Sequence, residues 1–155
     1  MKKYELTEET VTVYGKTLYR IRAVRDFGSV KTGEFGGYIE KEENLSHFGD
    51  AWVYGNAKVY GDARVYGDAR VFDNAEVFNT RHFFVQGPIG SRDGYVTFYR
   101  TKDDTVEVRC GCFSGSLQEF VNQVEETHGG SRYEKEYKLA AELAKVCIRL
   151  EGESR

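Results

Sequence analysis

From Phe48 to Val77 the chain repeats a six-residue unit five times without a gap: FGDAWV, YGNAKV, YGDARV, YGDARV and FDNAEV. A fixed short period constrains the fold more than composition does, because each unit buries its apolar positions only by stacking on its neighbours. Six residues is shorter than any helical repeat and matches one flat side of a three-sided parallel β coil, with three units, eighteen residues, to a turn. Alternation within A-x-V-[YF] sends Ala and Val to one side and the x residue and the aromatic to the other. The Gly-Asp or Gly-Asn pair then turns the corner. Ala57, Ala63, Ala69, Val59, Val65 and Val71 are expected inside. Residues eighteen apart are expected to stack: Trp52 over Arg70, Lys58 over Glu76 and Arg64 over His82, and, among the aromatics, Phe48 over Tyr66, Tyr54 over Phe72 and Tyr60 over Phe78.

The run FGDAWVYGNAKVYGDARV resembles the hexapeptide-repeat family, whose members form left-handed parallel β-helices, commonly trimeric and often acyltransferases. Residues 21 to 57, IRAVRDFGSVKTGEFGGYIEKEENLSHFGDAWVYGNA, resemble the lead-in of uncharacterised bacterial and phage hexapeptide-repeat proteins that are labelled transferases without an assigned reaction. The resemblance spans residues 1 to about 85. The expected fold is mainly β: an N-terminal strand cap over 1–35, a short left-handed parallel β-helix over 36–84, and a small C-terminal α+β module over 85–155. A meander of hairpins joined at Gly-Asp would not need identical spacing five times running.

The flanks are read from local pattern. VTVYGKTLYRIRAV alternates about Gly15-Lys16, a hairpin suited to sealing the first coil. After Val77 the register fails, with Arg81 where Ala is expected, and RHFFVQGPIGSRDG leads out. YVTFYR (95–100) and TVEVRCG (105–111) form a predicted hairpin turning at Asp103-Asp104. Ser116 and Glu119 make a capping box ahead of the stripe Leu117, Phe120, Val121 and Val124, which ends at Gly129-Gly130. A second predicted helix runs from about Arg132 to Leu150 with Tyr137, Ala140, Leu143, Ala144 and Cys147 on its apolar face, giving a β-β-α-α module.

A net charge of -3 over 155 residues gives no global pull toward nucleic acid or anionic membrane, and no apolar run reaches the ~20 residues of a membrane helix. The opening MKKYELTEE lacks the apolar stretch of a signal peptide, so a cytoplasmic location is expected. Three cysteines make an odd number, and reduced thiols are expected there. Cys110, Cys112 and Cys147 with His128 contain zinc-type donors, but C-x-C is not the usual knuckle spacing, and buried free thiols with no metal and no cofactor are expected.

The acyltransferase resemblance implies a histidine base, for which His47 and His82 are the formal candidates; with only about two coils to build an acyl-donor groove, surface or packing roles are expected instead. Two loops suggest an anion site. CGCFSGS (110–116) runs into a helix N-terminus, where free N–H groups and the dipole favour negative charge, and GPIGSR (87–92) adds Arg92. The expected ligand-binding residues are Arg92, Arg100, Ser114, Gly115 and Ser116, in a module that also carries Lys102 and Arg109. The expected function is a non-catalytic, self-associating binding protein. The phage resemblance implies counter-defence, by blocking a host protein or sequestering a nucleotide-like anion. A small acyltransferase and a purely structural assembly protein are the alternatives. Tyr54, Tyr60, Tyr66, Phe72 and Phe78 are expected to project outward and to need cover from another chain, in a trimer ahead of a dimer, with Tyr60 or Tyr66 in the interface.

Overall fold

The computed structural model describes residues 2–152 and divides into two units, Met1–Thr80 and Arg81–Arg155. The expected cap and the five repeats to Val77 share one unit, and residues 81–84 of the expected 36–84 segment fall in the other; residue 1 and residues 153–155, the ends of the outer expected segments, lie outside the described residues.

In the first unit, β1 (Tyr4–Val13) and β2 (Lys16–Ala23) pair antiparallel. Their turn falls at Tyr14-Gly15, one residue before the expected place, with φ of 47° and 78°. Positive φ at both central residues gives a two-residue turn the twist of the strands it joins. β3 (Phe35–Ile39) lies antiparallel to β2, and four two-residue strands follow: β4 (Trp52–Val53), β5 (Lys58–Val59), β6 (Arg70–Val71) and β7 (Glu76–Val77). Pairing at eighteen residues is present, in parallel, with Trp52 opposite Arg70 and Lys58 opposite Glu76. The Tyr54 and Phe72 rings stack at 4.1 Å and 4°, and Tyr60 and Phe78 at 5.1 Å and 21°. Every repeat Ala and Val, from Ala51 to Val77, is buried.

The left-handed parallel β-helix is nonetheless not the fold. β5 and β7 complete a mixed five-stranded sheet in the order β1-β2-β3-β5-β7, and β4-β6 is a separate pair. The third run contributes only the isolated bridge Leu45–Val65. Among the described residues no closed solenoid forms; the architecture is one of antiparallel and mixed sheets. The reason is length. Thirty repeat residues make fewer than two coils, so each side holds at most one repeat-to-repeat rung, and the N-terminal hairpin supplies the remaining partner for β5 through β3. Glycine makes that junction possible: a Cβ on Gly37 would sit 2.5 Å from the Ala57 carbonyl oxygen, and one on Gly36 2.6 Å from that of Val53.

The N-terminal strands also cover Tyr60, a ring expected to await a second chain, and Trp52, whose position in the repeat is expected to face outward. Tyr60 is 3% exposed, packed with Leu18 and Tyr38 beside Phe78, and Trp52 is 1% exposed between Tyr4 and Phe27. The repeat rings that stay open are Phe48, 81% exposed, and Tyr66, 56% exposed.

The second unit holds an antiparallel sheet in the order β11-β10-β9-β8, formed by β8 (Phe83–Ile89), β9 (Gly94–Arg100), β10 (Val106–Cys110) and β11 (Phe113–Ser116), followed by α1 (Leu117–His128) and α2 (Arg132–Cys147). The β-β-α-α expectation missed the two outer strands. β8 contains Pro88, which an edge strand tolerates because its N–H side need not join a ladder. β11, Phe-Ser-Gly-Ser, has little intrinsic strand preference and is held by pairing with β10 from Glu107–Ser116 to Cys110–Phe113. The core joins Val96, Phe98 and Val108 of the sheet to Phe120 and Val124 of α1 and Tyr137, Ala140, Ala141 and Ala144 of α2. Leu143, expected in that core, is instead exposed with Leu139 and Val146, because α2 seats its alanine face, which permits the closer approach. Among the described residues no helix is long and apolar enough to cross a membrane.

Candidate binding cleft

The second unit carries an open cleft of about 500 Å3, within the size range of small-molecule sites. α1 supplies one wall, because Phe120, Gln123, Val124, Thr127 and His128 recur at helical spacing and face the same way. The turn between β10 and β11 supplies Gly111 and Cys112, flanked by Cys110 at the end of β10 and Phe113 at the start of β11; Ser91 and Arg92 come from the loop after β8, and Tyr137 from α2. The aromatic groups are in mutual contact. Phe113 lies 5.6 Å from Phe120, Phe120 meets Tyr137 edge-to-face at 5.8 Å, and His128 is tilted over Tyr137 at 5.5 Å. Rings arranged in this way offer both faces and edges to a flat ligand.

The Arg92 loop is fixed from α2. Glu136 accepts the Gly90 N–H at 2.7 Å, and Gly90, with φ of 81°, lies so close to the Tyr137 hydroxyl that a Cβ there would come within 1.8 Å of it. The Gly90 amide is thus already satisfied by a carboxylate, and Arg92 is what this loop brings to the cleft. Burial raises the Tyr137 hydroxyl pKa, and the neighbouring Cys110 raises it further. Tyr137 is therefore a protonated donor at neutral pH.

The other expected ligand residues do not join Arg92. Arg100 is a buried residue of β9 whose Nε donates to Asp104 Oδ1 at 2.9 Å and whose guanidinium lies 3.6 Å from Glu151. Asp104 in turn accepts the N–H groups of Glu151 and Gly152, both at 2.9 Å, and the first of these bonds leads in holding its carboxyl below the usual range. Arg100 is part of a clasp on the C-terminal segment. Ser116 caps α1: it accepts the Glu119 N–H at 3.1 Å while Glu119 Oε1 accepts the Ser116 N–H at 2.8 Å, so the anion position at this helix start is occupied by the chain's own carboxylate. Ser116 lines a second cleft of about 520 Å3 with Leu117, Lys145 and Ile148. Ser114 is exposed and Gly115 half-buried on β11.

The two histidines flanking the repeat are each packed within their own unit. His47 Nδ1 accepts the Lys3 N–H at 3.1 Å, which leaves Nε2 to donate to Glu42 Oε1 at 2.8 Å, and the ring stacks on Tyr4 at 4.1 Å. Its hydrogen bond holds the Glu42 carboxyl below the usual carboxylate range. His82 is 4% exposed, and burial, aided by Arg100, lowers its pKa to about 4. Tyr60, expected in an interface, is buried within its own unit, whereas Tyr66 is accessible. The cysteines expected to be buried are not: Cys112 is exposed and Cys110 and Cys147 are half-buried. Among the described residues no group of three or more metal-ligating side chains forms.

Of the two loops expected at an anion site, the structure brings Arg92 of GPIGSR together with Cys110, Gly111, Cys112 and Phe113 of CGCFSGS; His128 and Tyr137 are the cleft members that sequence reasoning does not place there. No protein-family model matches the chain, and a search of curated proteins finds no match.

Proposed function

We propose that the chain is a binding protein whose second unit takes a small anion bearing a flat ring, of mononucleotide size, in the cleft lined by Arg92 and the Phe113–Phe120–Tyr137 rings. The carrying observation is the juxtaposition of one guanidinium with an aromatic wall in a single open cleft. Arginine presents a planar fork that suits phosphate or carboxylate, and the rings stack on any base-like plane. Such a pocket serves to sequester a nucleotide signal, the counter-defence use implied by the resemblance of residues 21 to 57 to phage proteins. Calorimetry of the whole chain against mononucleotides, their nucleosides and inorganic phosphate tests this. Mononucleotides should bind, nucleosides and phosphate more weakly, and Arg92→Ala and added salt should each reduce affinity, the former about tenfold, as removing a charge-assisted hydrogen bond does. Nucleotide affinity that ignores both changes, or no binding at all, overturns the reading.

A second reading is favoured by Phe48 and Tyr66. These rings stand eighteen residues apart in the repeat and are the repeat aromatics left exposed. We propose that they pair with a second copy of the chain, as apolar surface of this kind tends to be covered.

A further inference from the structure

The cleft holds two thiols that ligand binding does not require. Cys110 ends β10, Cys112 stands in the two-residue turn before β11, and Gly111 between them has φ of 56°. Residues two apart lie at most about 7 Å from Cα to Cα, and a turn draws them closer, into the roughly 4.4–6.8 Å span that a disulfide bridges. The two sulfurs are also differentiated. Cys112 is exposed, whereas Cys110 is half-buried and lines the cleft with Tyr137. Arg92 lines the same cleft and gives it a cationic group to meet a small anionic disulfide.

We infer that the Cys110-Gly111-Cys112 turn is a thiol–disulfide exchange site that reacts with the disulfide of a small anionic thiol such as glutathione. The Cys112 thiolate attacks one sulfur of the small disulfide; that S–S bond breaks, one small thiolate leaves, and a mixed disulfide forms on Cys112. The Cys110 thiolate then attacks the Cys112 sulfur, a Cys110–Cys112 bond forms, and the second small thiolate leaves. The two protons given up by the protein thiols end on the two small thiols, so one dithiol and one small disulfide yield one protein disulfide and two small thiols. Two electrons pass from the protein to its oxidant. The site does not depend on which anion the cleft binds.

The test incubates the whole chain with glutathione disulfide in buffers of graded reduced glutathione, quenches with acid, and reads the intact mass and the linked peptides. The wild type should lose two hydrogens, with Cys110 linked to Cys112, and reduced glutathione should reverse this. Cys110→Ser should stop at one glutathionyl group on Cys112, at least tenfold more abundant than in the wild type; Cys112→Ser should show no closure; Cys147→Ser should behave as the wild type. Because a variant of half-buried Cys110 can misfold, the wild type is also treated with limiting iodoacetamide, which should label Cys112 at least tenfold faster than Cys147. A wild type that halts as a mixed disulfide, a linkage to Cys147, or equal labelling of Cys112 and Cys147 overturns the inference.

Discussion

His82 should make the second unit acid-labile at a pH where its carboxylates still hold. The side chain is 4% exposed, and burial, with Arg100 nearby, lowers its pKa from 6.5 to about 4. The unfolded chain takes up this proton near pH 6.5, while the folded chain resists it until about 4. A group depressed in this way contributes stability that is full above its unfolded pKa and is lost as pH falls toward the folded one. One-site linkage then gives a loss of about 2 kcal/mol between pH 7 and about 4.5. The same unit's hydrogen-bonded carboxylates Asp104, Glu119 and Glu134 also have lowered pKa values, so their contribution disappears only below that window. Two probes separate the units: α1 and α2 belong to the second, so far-ultraviolet ellipticity follows it, and the sole tryptophan, Trp52, lies in the first. Urea titrations across the window should show the ellipticity midpoint of the wild type falling steadily. The His82→Gln variant, less stable at neutral pH, should show a nearly flat midpoint. Equal falls in both proteins would refute the linkage, and a fall confined to Trp52 fluorescence would place the labile group in the other unit.

Gly37→Ala puts a Cβ 2.5 Å from the Ala57 carbonyl oxygen, where backbone and not a pliable side chain must move; about 1–3 kcal/mol of stability should be lost from the first unit, read by Trp52 fluorescence in urea, and an unchanged midpoint would show that β3 does not lie against the repeat as described. Phe48 and Tyr66 should make the chain self-associate at tens of micromolar; light scattering after size exclusion should give more than one chain mass for the wild type and 17.7 kDa for the Phe48→Ser, Tyr66→Ser double variant, and a wild type at 17.7 kDa would sink the pairing.

The repeat determined, by itself, that each of its Ala and Val residues is buried and that Trp52 stands opposite Arg70 and Lys58 opposite Glu76. Alternation permits only one apolar side, and a constant six-residue interval brings Trp52 to Arg70 and Lys58 to Glu76 wherever the chain turns at the same rate. The capping box on α1 was equally legible, because its two hydrogen bonds join residues only three apart. Tertiary structure decided the rest. Whether five units close on themselves depends on what competes for their edges, and here β3, brought in by the N-terminal hairpin, takes the edge of β5 and covers Tyr60. No local pattern in the repeat reveals that partner. The cleft was hidden for a similar reason. Along the chain β9 and β10 run between Arg92 and Cys110, β11 lies between Cys110 and Phe120, and most of α1 separates Phe120 from Tyr137. They meet only because α2 chooses its alanine face for the core, which sets Tyr137 against Gly90 and leaves Leu143 outside, a choice between two apolar faces that is settled by close packing and not by hydrophobicity.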